Sequence, residues 1–352
     1  MSEIPAGAMR FNSDSQKLEY WNGSAWFQVH TATSNIATAG EPNAGARGLF
    51  AGGYQPGAYQ NDIDYINIAS TGNTQDFGTL NASVTAGGGV GSRTRALFGG
   101  GYTTGGNAVA QIDTVTFAST GSASDFGDLN MTHFRKGSAG NATRGLFAGG
   151  GNPNTTDPQI DYVQIATTGA GKDFGDLTQT RSRMGGGGSP TRSLFAGGFT
   201  GPSPADVYQD IIDFVNTPTL GSAQDFGNLT QGKTWTAACS NTTRMLIGGG
   251  GLGPDGSTAV SEMESLIIST TGNAVMFGDL DTVVDTGAYA GSGLASSTRG
   301  VFNTGLFKNP GTTYSNTIYY VQISTGGGAI DFGDLDGKRY GVQTCSNGHG
   351  GL

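Results

Sequence analysis

The sequence predicts an all-β protein: a six-bladed β-propeller closed by its C-terminal strand and preceded by a small N-terminal β-strand module. Three observations lead there. A unit of roughly 50 residues that reads as four short strands recurs six times. Spacing inside the unit is fixed, and length varies in one loop per copy. The 63 glycines lack a Gly-X-Y period and gather at the ends of apolar runs, where they mark turns and close backbone approach. The chain divides into an N-terminal module (1–30), a linker (31–45) and the propeller (46–352).

The N-terminal module reads as three strands, AMRFN, KLEYW and AWFQV, joined by SDSQ and NGS turns. Asn22-Gly23 is a strong hairpin signal. So short a segment cannot bury Phe11, Tyr20, Trp21, Trp26 and Phe27 alone, which makes those five the candidates for assembly. The order MRFN then LEYWNGSAW resembles a short module of bacteriophage tail-fibre and virion proteins. That resemblance implies a virion location, other phage virion proteins as partners, and self-association as a homotrimer. Residues 31–45, rich in Ala, Thr, Ser and Asn, read as the linker.

Each repeat opens with an apolar strand ended by glycines: RGLFAGG from Arg47, RALFGGG from Arg95, RGLFAGG from Arg144 and RSLFAGG from Arg192. Looser copies are RMLIGGG from Arg244 and RGVFNTG from Arg299. An alternating strand follows, as in IDYVQIATTG from Ile160. A Thr-Gly turn leads to a short strand holding Phe77, Phe126, Phe174, Phe226, Phe277 or Phe332, preceded by Asp in every copy but the fifth, which has Met276. A small-residue strand such as MGGGG then turns into the next copy. Glycine-rich strands form poorly alone and fit where strands converge on an axis. After Phe332 the chain holds one further small-residue strand, expected to be the innermost strand of the first blade, a closure that leaves no open edge.

In order and spacing the pattern resembles the kelch repeat, with Phe in place of the usual Trp and with Tyr65 and Tyr162 in place of the usual Tyr. The resemblance covers residues 47–352 and implies a kelch-like propeller.

Several chemistries are excluded by composition or context. A net charge of −9 without clustered Lys or Arg argues against nucleic acid. No apolar run is long enough to cross a bilayer, so no membrane insertion is expected. Asp173-Phe174-Gly175 matches the magnesium-holding tripeptide of protein kinases, but it recurs, and the catalytic-loop Asp and Asn and the strand Lys are missing. Its Phe is read as a plug between blades, and its Asp as a partner for the repeated Arg. GGGGSPTRS lacks the Lys and the following helix of a phosphate loop. His30, His133 and His349 have no Cys or His at metal-ligand spacing, so neither a metal, another cofactor nor a catalytic triad is expected. Cys239 and Cys345 fall in non-adjacent blades and read as buried thiols. Sialidase-like propellers carry an arginine cluster and a nucleophilic Tyr over the axis. Most arginines here belong to the repeat frame, so the chain is not expected to be an enzyme.

The variable loops carry the remaining expectation. Aromatic rings stack on sugar C–H faces, and amides bind hydroxyls. Tyr54, Tyr59, Tyr102, Asn152, Phe199, Tyr208, Phe307 and Tyr314 are therefore the candidates for binding a host-surface receptor, a glycan or a protein. The alternatives are a non-binding structural component of tail or capsid and a glycan-degrading propeller enzyme.

Overall fold

The computed structural model describes residues 5, 7–12, 17–28, 46–152, 155–201, 207–252, 258–280, 288–289, 291–307 and 313–352. Among these residues the regular structure is antiparallel β-sheet, with no helix. The chain forms two compact units, Met1–Ala44 and Gly45–Leu352. The proposed linker, 31–45, and His30 lie outside the described residues.

The first unit holds a three-stranded sheet of Met9–Asn12, Lys17–Trp21 and Trp26–Gln28. The second hairpin closes where Asn22 Oδ1 accepts from the Ser24 and Ala25 amides, both at 2.8 Å. Register separates the five aromatic candidates onto two faces. Met9 pairs with Tyr20, Phe11 with Leu18 and Tyr20 with Phe27, so these share one face. That face is exposed, Phe11 at 66% and Phe27 at 47%. Trp21 and Trp26 pair on the other face, where Arg10 lies over Trp26 and forms an ion pair with buried Glu19.

The second unit contains six sheets of one plan: small-residue strand, apolar strand, alternating strand, Asp-Phe-Gly strand. In the third sheet these are Gly137–Gly140, Arg144–Ala148, Gln159–Gln164 and Lys172–Asp176. The first sheet takes its small-residue strand, Gln343–Ser346, from the far end of the chain and pairs it with Arg47–Ala51. In chain order, each small-residue strand touches that of the next sheet, and the sixth, Ser292–Ala295, touches Gln343–Ser346.

Those strands approach so closely that side-chain size alternates around the set. Position two is Thr344, Gly89, Ser138, Gly186, Ala238 and Gly293 in successive sheets. A Cβ on Gly186 would lie 2.7 Å from the Ser138 carbonyl carbon, and one on Gly293 would lie 2.5 Å from the Ala238 oxygen.

The Asp-Phe-Gly strand joins neighbouring sheets. Ile160 pairs with Gly175 and Asp161 with Asp173, so Phe174 is the extra residue of a bulge, and all six sheets repeat this shift. The bulge buries Phe174 against Phe195 and Val215 of the next sheet. A turn glycine of each following sheet then donates to the Phe carbonyl: Gly221 to Phe174 at 2.9 Å, and Gly72 of the first sheet to Phe332 of the sixth at 2.8 Å.

The expected pairing of repeat Arg with the Asp of this tripeptide is not found. Arg144 Nη1 instead donates to the Thr217 and Pro218 carbonyls of the next sheet, at 3.0 and 2.8 Å, while its guanidinium lies over Tyr162. Arg95, Arg192, Arg244 and Arg299 repeat this bridge, Arg299 reaching Ile68 and Ala69 of the first sheet. Asp173 accepts from the Gly175 amide within its own bulge, at 3.0 Å. The reason is reach. The Arg side chain passes across its own sheet toward bare carbonyls at the end of the neighbour's alternating strand, which need donors.

The acid that does find a buried cation is that of the alternating strand. Arg181 pairs with Asp213 at 2.7 Å and Lys233 with Glu264 at 2.6 Å, all four side chains fully buried. Arg339 pairs with Asp64 in the same position. Asp213 and Glu264 also accept amide bonds from the crossover that arrives from the preceding sheet, from Thr178 and Thr230 respectively. Those two crossovers are thereby fixed where they enter the next small-residue strand. Cys239 and Cys345 are free and buried, and burial raises both thiol pKa values.

Candidate functional site

Immediately before five of the six small-residue strands the backbone turns sharply. Ala86, Arg135, Arg183 and Trp235 have φ between 57° and 62°, and Gly341 matches them at 65°. Ala86, Arg135, Arg183 and Trp235 are the only non-glycine residues with positive φ among those described. The turn has a purpose visible in the hydrogen bonds. The Ala86 amide donates to Gly341 O, Arg135 to Ala86 O, Arg183 to Arg135 O and Trp235 to Arg183 O, at 2.5–3.0 Å. Ala86, Arg135 and Arg183 thus each give their N–H to the preceding sheet and their C=O to the following one, and the four bonds link five sheets. Left-handed backbone on an Arg or a Trp costs on the order of 1 kcal/mol or more, and such strain gathers at functional sites.

This belt rims a cavity of about 140 Å³ bounded by the small-residue strands. Ser138, Thr236, Ser240 and Gln343 add polar side chains to a wall of glycine and alanine. The far end, where the strands turn into the Thr-Arg hairpins, is covered by the C-terminal tail. His349 Nε2 donates to Gly91 O of the second sheet at 2.7 Å, Ala142 of the third donates to Gly351 O, and Gly350 donates to Ser240 O of the fifth. Among the described residues the cavity opens at the variable-loop end.

Around that opening runs a chain of ring contacts. Centroids lie 5.8 Å apart for Tyr314 and Tyr340, 5.4 Å for Tyr340 and Tyr54, and 5.2 Å for Tyr54 and Tyr59. The chain continues from Tyr59 to Tyr102 at 6.1 Å and from Tyr102 to Phe134 at 4.8 Å. Arg135 then lies over Phe134 and Trp235, and Arg183 over Trp235 and Phe199. Trp235 and Tyr340 both pack on Ala259 and Leu306, which brings the chain back to its start. All six sheets contribute. Burial and neighbouring tyrosines raise the Tyr340 and Tyr59 pKa values, while Arg135 opposes the rise at Tyr340.

Of the eight loop candidates, Tyr54, Tyr59, Tyr102, Phe199 and Tyr314 meet in this belt. Tyr208 pairs with Phe199 across the Phe199–Thr200 and Val207–Tyr208 hairpin. Asn152 and Phe307 sit on equivalent small hairpins, and their side chains lie outside the described residues. The belt's other members, Phe134, Arg135, Arg183, Trp235 and Tyr340, escaped the sequence reading. Aligning the segments that precede the small-residue strands shows why: the turn position holds Ala, Arg, Arg, Trp and Gly, and its neighbours vary as widely, so residue identity carries no mark of the shared backbone. Arg135 and Arg183 are also not frame residues, unlike the repeated arginines.

Two buried groups beside the cavity have shifted pKa values. Lys136 falls to about 8 because burial outweighs the attraction of Asp161 and Asp157. His133 is lowered by burial and then by Lys136. Asp161 attracts Lys136 electrostatically, whereas Arg181 pairs directly with Asp213. Among the described residues no group of His, Cys, Asp and Glu could hold a metal ion. A scan against protein-family models and a search of curated proteins find no match to this chain.

Proposed function

We propose that the six sheets form a closed six-bladed propeller of kelch-like plan, and that the chain is a bacteriophage tail-fibre or appendage subunit binding a host-surface glycan at its loop end. Cyclic contacts among the small-residue strands support closure, as do the Arg299 and Gly72 bonds between the sixth and first sheets. The observation that carries the binding function is the belt of half-buried tyrosines around an open cavity. Rings of this kind give large, rigid contact area at low entropic cost. The exposed face of Met9, Phe11, Leu18, Tyr20 and Phe27 supports self-association through the N-terminal sheet, with a homotrimer as the assembly and the virion as its location. The test is binding of the labelled full chain to intact bacteria and to their purified surface polysaccharides. Tyr54→Ala with Tyr59→Ala is expected to weaken binding at least about tenfold, or 1.4 kcal/mol. Absence of binding across a broad bacterial panel would favour a purely structural component, and release of new reducing ends would favour an enzyme.

A further inference from the structure

One group in the cavity wall has no partner, and its position indicates what the cavity takes. Gln343 opens the small-residue strand of the first sheet, where the other five sheets place Gly88, Gly137, Gly185, Ala237 and Ser292. The second sheet makes room for it: a Cβ on Gly87 would lie 2.7 Å from both Cδ and Nε2 of Gln343. The amide is thus built into the wall at 2% exposure. Its Oε1 is buried, and no donor reaches it among the described residues. The hydroxyls of the wall are committed elsewhere. Ser138 Oγ accepts from the Gly89 amide at 3.2 Å, Ser240 Oγ bonds both N and O of Gly188 at 2.8 Å, and Ser292 Oγ donates to Asn303 Oδ1 at 2.7 Å. An unmatched buried acceptor costs free energy that a donor on a ligand recovers.

Size and closure fix the form of that ligand. The cavity volume, about 140 Å³, is below the roughly 300–1,000 Å³ of pockets that enclose a drug-sized molecule. It is close to the ~150 Å³ that houses a single benzene ring. Its far end is covered by the C-terminal tail through His349, Gly350 and Gly351, so a polymer cannot thread through. A long chain therefore meets the site end first. We propose that the cavity receives the terminal sugar at the free end of the glycan, one of its hydroxyls donating to Gln343 Oε1. The residues that follow rest on the Tyr340, Tyr54 and Tyr59 rings at the mouth. The inference rests on reading the loop end as a glycan site and adds that a chain end, not a chain interior, is what it recognises.

The experiment titrates the full chain with short oligosaccharides cut from the panel's surface polysaccharides, each retaining its native free end. Saturation-transfer NMR should place the contact on the terminal residue, and the side-chain amide signal of Gln343 should shift during the titration. Gln343→Met keeps the length and removes the acceptor. It should weaken binding about fivefold or more while leaving the urea midpoint unchanged or raised, because no internal bond to Oε1 is lost. A side chain that only fills space would give the reverse, a lower midpoint with unaltered binding, and that result would overturn the role of Gln343. Should the variant fail to fold, the Gln343 amide of the unaltered chain decides: a shift supports the proposal and an unmoved signal overturns it. Saturation spread evenly along the oligosaccharide would overturn end recognition and leave the glycan reading intact. Failure of that reading shows separately, as no binding of oligosaccharide, polysaccharide or cells by the unaltered chain, and the inference falls with it.

Discussion

At the scale of single residues, the Asp-Phe-Gly tripeptide shows how a word that reads as chemistry can be set by packing. Phe174 is the extra residue of a bulge and plugs the seam to the next sheet. Gly175 follows with φ of 139°, and a Cβ there would lie 2.6 Å from the Gly221 carbonyl carbon. That neighbour is backbone and cannot swing away. Gly175→Ala is therefore expected to destabilise by about 1–3 kcal/mol from backbone conformation, with the contact adding to it. Urea unfolding measures the shift, and a midpoint within error of the unaltered protein would sink the account. The fully buried Arg181–Asp213 pair belongs to the same scale. Its desolvation cost offsets most of its attraction, so it contributes position more than stability: it holds the crossover that delivers Arg183 to the mouth.

At the scale of the element, the seam between sheets is a repeated device of one stacked arginine and one pair of carbonyls. Lysine cannot copy it, because an ammonium lacks the planar fork that bridges two oxygens while lying on a ring. Arg144→Lys should cost about 1–2 kcal/mol, the sum of a partly exposed hydrogen bond and a cation–π contact. The expected signature is a lower urea midpoint at unchanged m-value, since the exposed surface on unfolding stays the same. The seam also shows what the sequence could reveal. Arg144, Phe174 and Gly175 recur because packing demands their residue types, so the strands, their order and the variable loop were legible. The partner of Arg144 was not, since carbonyls at Thr217 and Pro218 leave no trace in residue identity. Arg135, Arg183 and Trp235 were hidden for a related reason. Their position is defined by left-handed backbone and a belt of amide bonds, which five different sequences satisfy with four residue types. Tyr54, Tyr59 and Tyr102 were legible as loop aromatics, but their mutual contact needed the hairpins and the neighbouring sheets.

At the scale of the second unit, both ends of the chain segment meet in one sheet, and the tail beyond Gln343–Ser346 covers one end of the cavity. That cover depends on the protonation of His349. The ring is half-buried, its Nε2–H is committed to Gly91 O, and its Nδ1 accepts from the Gly351 amide at 3.1 Å. Both nitrogens are used only by the neutral form. Burial holds the folded-state pKa below 6.5, and Arg93 pushes the same way against the Gly91 bond. The sign follows. Between the folded value and 6.5 the unfolded chain binds more protons than the native one, so stability falls as the solution is acidified through that window and is fully present above it. Below it, a proton on Nδ1 would face the Gly351 N–H donor to donor and release the tail. His349→Gln keeps a donor and an acceptor but cannot titrate. The unaltered chain should lose hydrogen-exchange protection at Gly350 and Ala142 between pH 7.5 and 5, about tenfold per unit in the titrating range. The Gln variant should show the same protection factors at both pH values, and equal behaviour of the two proteins would exclude His349 as the titrating group.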